Sequence, residues 1–350
     1  MYAYVGSRTT RERNARGEGI RVFKVDQERG TLTSIQTYGN LINPSYLALN
    51  RSRDRLYTVH GDGCDITAFT INPLTGELAL LNSCSCEGHN PVHLALDPTE
   101  RFLIVSNHLS GSLAVIDIHA DGALGRVLQL VALEGQIGPH RGEQPFSKPH
   151  FNLFDPSGQF VLVPDKGLDC IFSFRFQDGR LQPASPPSVN TREGAGPRHV
   201  AFHPHAPFAY TINELDSSVT AYRFNRHSGA LQPFQVLPCL PASFTGNSRA
   251  SAILADDSGH YLYASNRGYD SVTVYAIEPG SGLLQPIEYV LTEGKTPRFV
   301  TLTPNRRFMF ALNEDSDNIV SMAVDVCTGQ LTSTGFSIAV GSPVCMVFSQ

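Results

Sequence analysis

One phrase recurs along the whole chain and constrains the fold more than any other feature. It reads as Pro or a small residue, a short alternating apolar run, a turn, a second apolar run, and a final Asn, Asp or His. Complete copies begin at Pro44 (PSYLALNRSRDRLYTVH), Pro91, Pro149, Pro197 (PRHVAFHPHAPFAYTIN), Ala250 and Pro297, and a seventh, PVCMVFS, starts at Pro343. The anchors lie 47, 58, 48, 53, 47 and 46 residues apart, a period expected of β-propeller blades. In all six complete copies the final polar residue falls sixteen positions past the anchor, at His60, Asn107, Asp165, Asn213, Asn266 and Asn313.

After each phrase comes a third strand, such as Gly111 to Ile118, Ser217 to Phe224 or Ser271 to Tyr275, then a turn such as TGEL or SGAL and a more variable fourth strand. The ends complete each other. The chain opens on an orphan second strand, Tyr2 to Gly6, followed by strands at Gly19 to Val25 and near Leu32 to Thr37, and it closes on a lone first strand, Pro343 to Ser349. Joined, they make one blade and remove the exposed edge an open ring would leave. The expectation is an all-β, seven-bladed propeller of four-stranded blades, a single domain over 1–350.

Composition narrows the partners. The 350 residues carry 27 Lys and Arg against 32 Asp and Glu, with no run of like charge, which argues against a nucleic-acid or anionic-membrane surface. No apolar stretch reaches a membrane span, and MYAYVGSRTTRERN lacks the layout of a secretory signal, so a cytoplasmic protein is expected. Seven cysteines without a CxxC pair point to reduced thiols rather than a disulfide frame or structural zinc, and Cys84 and Cys86 are expected to pack.

In a propeller, first strands begin and second strands end at the same rim. Just past the anchors stand Ser45, Val92, His150, Arg198, Ser251, Arg298 and Val344; just past the second strands stand Gly61, His108, Lys166, Glu214, Arg267 and Glu314. A plain hairpin count sets Arg198 opposite Asn213, His150 opposite Asp165 and Arg298 opposite Asn313. The mouth so outlined concentrates His, Arg, Lys and Glu in the third to sixth copies, as a pocket with an anion-binding side would. Two long connections, Leu133 to Lys148 and Pro238 to Arg249, run into inner strands and should lie over it.

Other readings compete for these residues. Asn107, Asn213, Asn266 and Asn313 suit turn caps, although Asn213 and Asn266, next to Glu214 and Arg267, are also candidate substrate contacts. The Arg298 and Glu314 pair repeats Arg198 and Glu214, so one pair could be a rim salt bridge while the other does chemistry. His199 and His203 alternate with apolar neighbours and could pack between blades.

At these residues the chain resembles the seven-bladed propeller lactonases, a family that includes bacterial propeller 6-phosphogluconolactonases and fungal carboxy-cis,cis-muconate cyclase. The resemblance covers the whole chain. It is carried by KPHFNLFDPSGQFVLVPDKG (Lys148 to Gly167), GPRHVAFHPHAPFAYTINE (Gly196 to Glu214) and GNSRASAILADDSGHYLYASNRG (Gly246 to Gly268). It implies active-site residues at His150, Arg198, Glu214 and Arg267, and a small-molecule lactone or carboxylated substrate; no cofactor is expected, and a metal-dependent lactonase is disfavoured because the mouth offers only scattered Glu and Asn ligands. Lys148 stands where members often carry a second His, and no excess of basic residues suited to a phosphate stands out in the sequence.

The reading that follows is a lactone hydrolase. Glu214 would act as general base, Arg198 as oxyanion stabiliser and His150 as proton shuttle; Arg267 and Lys166 would hold the substrate's anionic group, with Arg298, Asn213, Asn266 and His108 as further contacts. A cycloisomerase closing a carboxylated muconate would use the same residues. A non-catalytic protein-binding propeller is the reading from another class.

Overall fold

The computed structural model describes residues 1–349 and forms seven four-stranded antiparallel sheets whose inner strands contact one another around a ring. Blade 1 joins the termini as the sequence implies: from the centre outward it consists of Pro343–Ser349, Tyr2–Ser7, Ile20–Asp26 and Thr31–Tyr38. Blades 2 to 7 follow the six complete copies in order. Burial tracks strand position. Second strands such as Phe208–Asn213 are buried throughout, while outer strands such as Leu231–Pro238 show one face to water. Facing sheets pack through these second and third strands, as where Tyr210, Ile212 and Val219 of blade 5 meet Leu262 and Tyr275 of blade 6. Cys86 packs with Tyr57, Leu94 and Val105, and all seven thiols are free.

Near the outer rim the blades are keyed together by glycine. The turn between third and fourth strands places a left-handed glycine on the first residue of a neighbouring blade's second strand: Gly76 on Tyr2, Gly229 on Phe160, Gly282 on Phe208 and Gly329 on Tyr261. Tyrosine hydroxyls reinforce the contact, with Tyr4 donating to the Gly76 carbonyl at 2.9 Å and Tyr263 to that of Gly329 at 3.0 Å. A methyl group has no room there.

The feature that builds the mouth is a β-bulge near the start of the inner strands. Pro197 pairs with Asn213, but the next pair is His199 with Ile212, so Arg198 is an extra residue pushed out of the ladder. The same shift isolates Ser45, Val92, Arg298 and Val344. In blades 4 and 6 it falls within the stretches starting at His150 and Ser251. This corrects the plain hairpin count by one residue: Pro197, Pro149 and Pro297 face Asn213, Asp165 and Asn313, in place of Arg198, His150 and Arg298.

The keyed rim yields a test. Gly229 has φ +76° and an added Cβ would sit 2.4 Å from the Phe160 ring, whereas Gly335 has φ +74° and nothing within 4 Å. Gly335→Ala should therefore cost about 1 kcal/mol of backbone strain, and Gly229→Ala about 2–4 kcal/mol. Thermal midpoints compared side by side check this; equal midpoints would show that the aromatic contact does not key the blades.

Candidate active site

Each second strand runs into a connection, a tight turn in blades 2 to 7 and the 8–19 segment in blade 1, whose opening residue stands at the channel mouth. In six blades the N–H of that residue donates to the carbonyl of the residue just before the inner strand. Gly61 bonds Asn43 at 2.9 Å, His108 bonds Asn90 at 3.0 Å, Lys166 bonds Lys148 at 3.0 Å, Glu214 bonds Gly196 at 2.7 Å and Glu314 bonds Thr296 at 2.9 Å. The sixth is Arg8, bonded to Ser342 at 3.0 Å. Arg8 is thus the blade 1 counterpart of Glu214. Sequence reasoning missed it, although the same count applied past Ser7 would have found it.

Bulge residues and turn residues converge on one mouth. Glu214, 4% exposed, sits among four cations: Lys166 Nζ and Arg249 Nη1 lie 3.3 and 3.8 Å from Oε1, and Arg198 Nε and Arg267 Nη2 lie 3.0 and 3.1 Å from Oε2. Carbonyls of blade 6 hold the guanidiniums, Ser251 O accepting from Arg198 Nη1 at 2.9 Å and Ala250 O from Arg267 Nη2 at 3.0 Å. His150 is buried beside His108, their ring centres 5.0 Å apart. A second centre lies on the blade 7 and blade 1 side, where Arg8 Nε is 2.9 Å and Arg298 Nη1 3.6 Å from Glu314. This pair is too buried to be an exposed rim bridge.

Below this layer the next residue of each inner strand closes the channel. Tyr46, His93, Phe151 and His199 pack ring on ring, with Phe299 against Tyr46; centre distances run from 3.7 Å for His93 and Phe151 to 6.1 Å for Tyr46 and Phe299. His199 therefore belongs to the floor of the mouth rather than to a space between blades. Its Nε2 accepts from Arg198 Nη1 at 2.8 Å, which orients the arginine. His203 does pack between blades, beneath Gly259. A cavity of about 630 Å³ opens on the far side of this floor, lined by Tyr46, His93, Phe151, Arg53 and Glu100.

Both long connections cover the mouth, as their lengths implied. Glu143 of the first bridges Lys166 at 3.0 Å and Arg249, at the end of the second, at 2.7 Å. Lys148 Nζ donates to the Glu143 carbonyl at 2.9 Å. Arg8, Lys166, Arg198, Arg267 and Arg298 thus crowd around Glu214 and Glu314, so the fold gathers a cationic excess from residues scattered in sequence.

The amide nitrogens of Asn213 and Asn266 are engaged within the blades, while their Oδ1 atoms have no hydrogen-bond partner. Asn213 Nδ2 donates to Ser218 and Thr220, and Asn266 Nδ2 to the Cys239 carbonyl, so both point into their blades and brace the following turns. Asp165 likewise accepts from the Lys148, Gly167 and Leu168 N–H groups and from the Ser147 hydroxyl, shaping the turn that presents Lys166.

Charge states follow from burial and neighbours. Burial alone would raise the Glu214 carboxyl, but Arg267, Lys166 and Arg198 outweigh it and hold the group well below the usual carboxylate range. Burial also works against Glu143 ionising, and its hydrogen bonds to Arg249 and Lys166 bring it down to about 2. Burial lowers His150 well below 6.5, helped by Arg198, and lowers His108 to about 3, helped by Lys166. The resting mouth therefore holds ionised carboxylates and neutral imidazoles. Four buried donors or acceptors in it have no hydrogen-bond partner: His150 Nδ1, Arg198 Nε, Arg267 Nε and Arg8 Nη1. Arg198 Nε is close to Glu214 but poorly aligned with it. Convergent unsatisfied groups of this kind mark a place for a polar ligand.

A closed propeller with one cationic, imidazole-lined mouth defines a class of small-molecule binding or hydrolytic protein, and the comparisons with known proteins narrow it. The family model described as Lactonase, 7-bladed beta-propeller matches residues 2–348, and the chain belongs to that family. A Bacillus subtilis 6-phosphogluconolactonase is 35% identical over 349 residues, covering 99% of this chain and 97% of its own. A 6-phosphogluconolactonase from Formosa agariphila is 32% identical, covering 94% of each chain. Among solved structures, a periplasmic gluconolactonase from Pseudomonas aeruginosa superposes with a TM-score of 0.93 at 30% identity, covering 100% of this chain and 99% of the other.

The neutral histidines give an acid-side prediction. His93, His108, His150 and His199 all have folded values below the ordinary 6.5, chiefly through burial, so below that pH the unfolded chain binds protons that the fold refuses. Their contribution is fully present above about pH 6.5 and declines on acidification, by up to about 1.4 kcal/mol per pH unit for each histidine. The thermal midpoint should fall between pH 7 and 5.5. A flat midpoint over that range would show that the imidazoles are not held neutral.

Proposed function

We propose that this chain is a lactonase that hydrolyses a sugar lactone, with 6-phosphogluconolactone the leading substrate. The observation that supports this best is the set of unpartnered groups on His150, Arg198 and Arg267 in the mouth that holds an ionised Glu214. Relatives named for lactone hydrolysis favour it over cycloisomerisation or a non-catalytic scaffold.

Ring opening requires a base for water, positive charge where the carbonyl oxygen becomes an oxyanion, and a proton for the departing ring oxygen. Glu214 takes the proton from water as the water oxygen bonds to the carbonyl carbon. The carbonyl electron pair moves onto oxygen, facing the Arg198 and Arg267 donors. Collapse re-forms the carbonyl and breaks the ring C–O bond, and the ring oxygen receives the proton through His150. The product acid then ionises.

The cations that make Glu214 a weak base at rest also explain how it acts. Arg198 and Arg267 are both shared with Oε2 of Glu214. As the oxyanion forms and draws these donors to itself, the carboxylate loses two of its stabilising partners and gains basicity when the proton arrives. His199 is assigned as a positioning residue, since its Nε2 accepts from Arg198 Nη1. Lys166 is committed to Glu214 and Glu143, so its first role is to hold the carboxylate ionised and aimed.

Glu214→Gln keeps the volume and removes the base. We expect kcat on 6-phosphogluconolactone or glucono-lactone to fall by roughly 10²–10⁴, with KM within a few-fold, in a protein whose circular dichroism is unchanged. Turnover near that of the unaltered enzyme on both lactones would remove Glu214 from the role of base.

A further inference from the structure

Arg8 carries a function that the comparisons and the family resemblance do not assign. We propose that Arg8, with Arg298, forms a phosphate subsite on the blade 1 and blade 7 side of the mouth, holding the terminal phosphate of a sugar lactone while its carbonyl lies against Arg198 and Glu214. This rests on the lactonase reading and adds the grip on the substrate's anionic end.

Three observations carry it. The first is charge. Arg8 and Arg298 share a single carboxylate, Glu314, and Arg298 reaches it only at 3.6 Å, so the pair keeps uncompensated positive charge in a buried place. The cations opposite serve the reacting centre: Lys166 and Arg249 are each paired with both Glu214 and Glu143, and Arg198 and Arg267 share Glu214 Oε2. Arg8 and Arg298 pair with Glu314 instead of with the reacting carboxylate, so they can hold a second anionic group without drawing on the Glu214 centre.

The second is the state of the Arg8 side chain. It is 6% exposed, its Nε is bound to Glu314, and its Nη1 is buried with no hydrogen-bond partner. A guanidinium with one edge anchored and the other unsatisfied presents donors suited to a phosphate oxygen. Burial and the nearby Arg298 charge lower Arg8 to about 9, which still leaves it charged at neutral pH.

The third is preorganisation. The Arg8 N–H donates to Ser342 and its carbonyl accepts from Gly17, both at 3.0 Å, so the backbone is pinned on either side. Where other blades turn in a few residues, blade 1 inserts the 8–19 segment. That segment ties to both neighbouring blades, through Arg13 to Asp62 and through Arg16 to Asp317. A lactone bearing its phosphate at the end of the sugar remote from the carbonyl needs an anion site in a different blade from the reacting groups, and the mouth provides it.

The test compares two lactones and one simple anion. In Arg8→Gln, kcat/KM for 6-phosphogluconolactone relative to that for unphosphorylated glucono-lactone should fall at least about tenfold, with the loss mainly in KM; Arg8→Lys should recover part of it. Inorganic phosphate, titrated calorimetrically, should bind the unaltered protein at least about tenfold more tightly than Arg8→Gln. An unchanged ratio, or an equal loss on both lactones with a lowered thermal midpoint, would overturn the proposal and leave Arg8 a structural partner of Glu314. Should the unaltered protein open neither lactone, the hydrolase reading falls. The phosphate titration still decides the subsite, because binding that survives Arg8→Gln, or no binding at all, removes it.

Discussion

The mouth depends on one backbone irregularity repeated around the ring. A regular inner strand would alternate its side chains between the two faces of the blade, and none would aim down the central channel. The extra residue after each anchor breaks that alternation, so that Arg198 and Arg298, with their counterparts in the other blades, turn toward the axis. The same bulge exposes local carbonyls, and those of Ala250 and Ser251 hold Arg267 and Arg198 in place. The floor follows too: the residue after the bulge points into the channel, and Tyr46, His93, Phe151, His199 and Phe299 meet there.

Gathering arginines and a lysine out of water costs more than any one ion pair returns unless the carboxylates are shared and hydrogen bonds are plentiful. Glu214 meets this condition with two oxygens serving Lys166, Arg198 and Arg267. Neutral imidazoles complete the arrangement, since His199 can accept from Arg198 only while it is uncharged. Cations therefore suppress protonation of the histidines, and the neutral histidines orient the cations. A substrate that brings negative charge would relieve a field the fold already maintains, which is how a static mouth favours an anionic transition state.

The repeat made the architecture legible. Seven anchors at near-constant spacing and a half-blade at each terminus specify the ring and its closure, because each blade must bury its faces against neighbours. The site was legible where it followed the repeat: counting one residue past each anchor and each second strand found His150, Arg198, Glu214, Arg267 and Lys166. It was not legible where local backbone departs from a regular ladder. The bulges moved Arg198 off Asn213, and the amide nitrogens of Asn213 and Asn266 go to bracing turns within their blades. Glu143 and Arg249 lie in the loops the sequence singled out, but a loop's length does not say which side chain closes over the mouth.

Near-symmetry also explains why the two carboxylates differ. Glu214 and Glu314 occupy equivalent positions, each facing a bulge arginine, so the chain carries two copies of one charged motif. Their surroundings separate them. Glu214 lies under the two long connections and beside the histidines of blades 3 to 5, and its cations are shared with Glu143. Glu314 has the pinned Arg8 instead of a lysine and no imidazole among its partners. Chemistry that moves protons requires groups that can exchange them, which the first centre has. Holding a fixed anion requires donors that stay charged and still, which the second has. A ring of equivalent positions thus becomes directional through what its loops and one terminal strand add on each side.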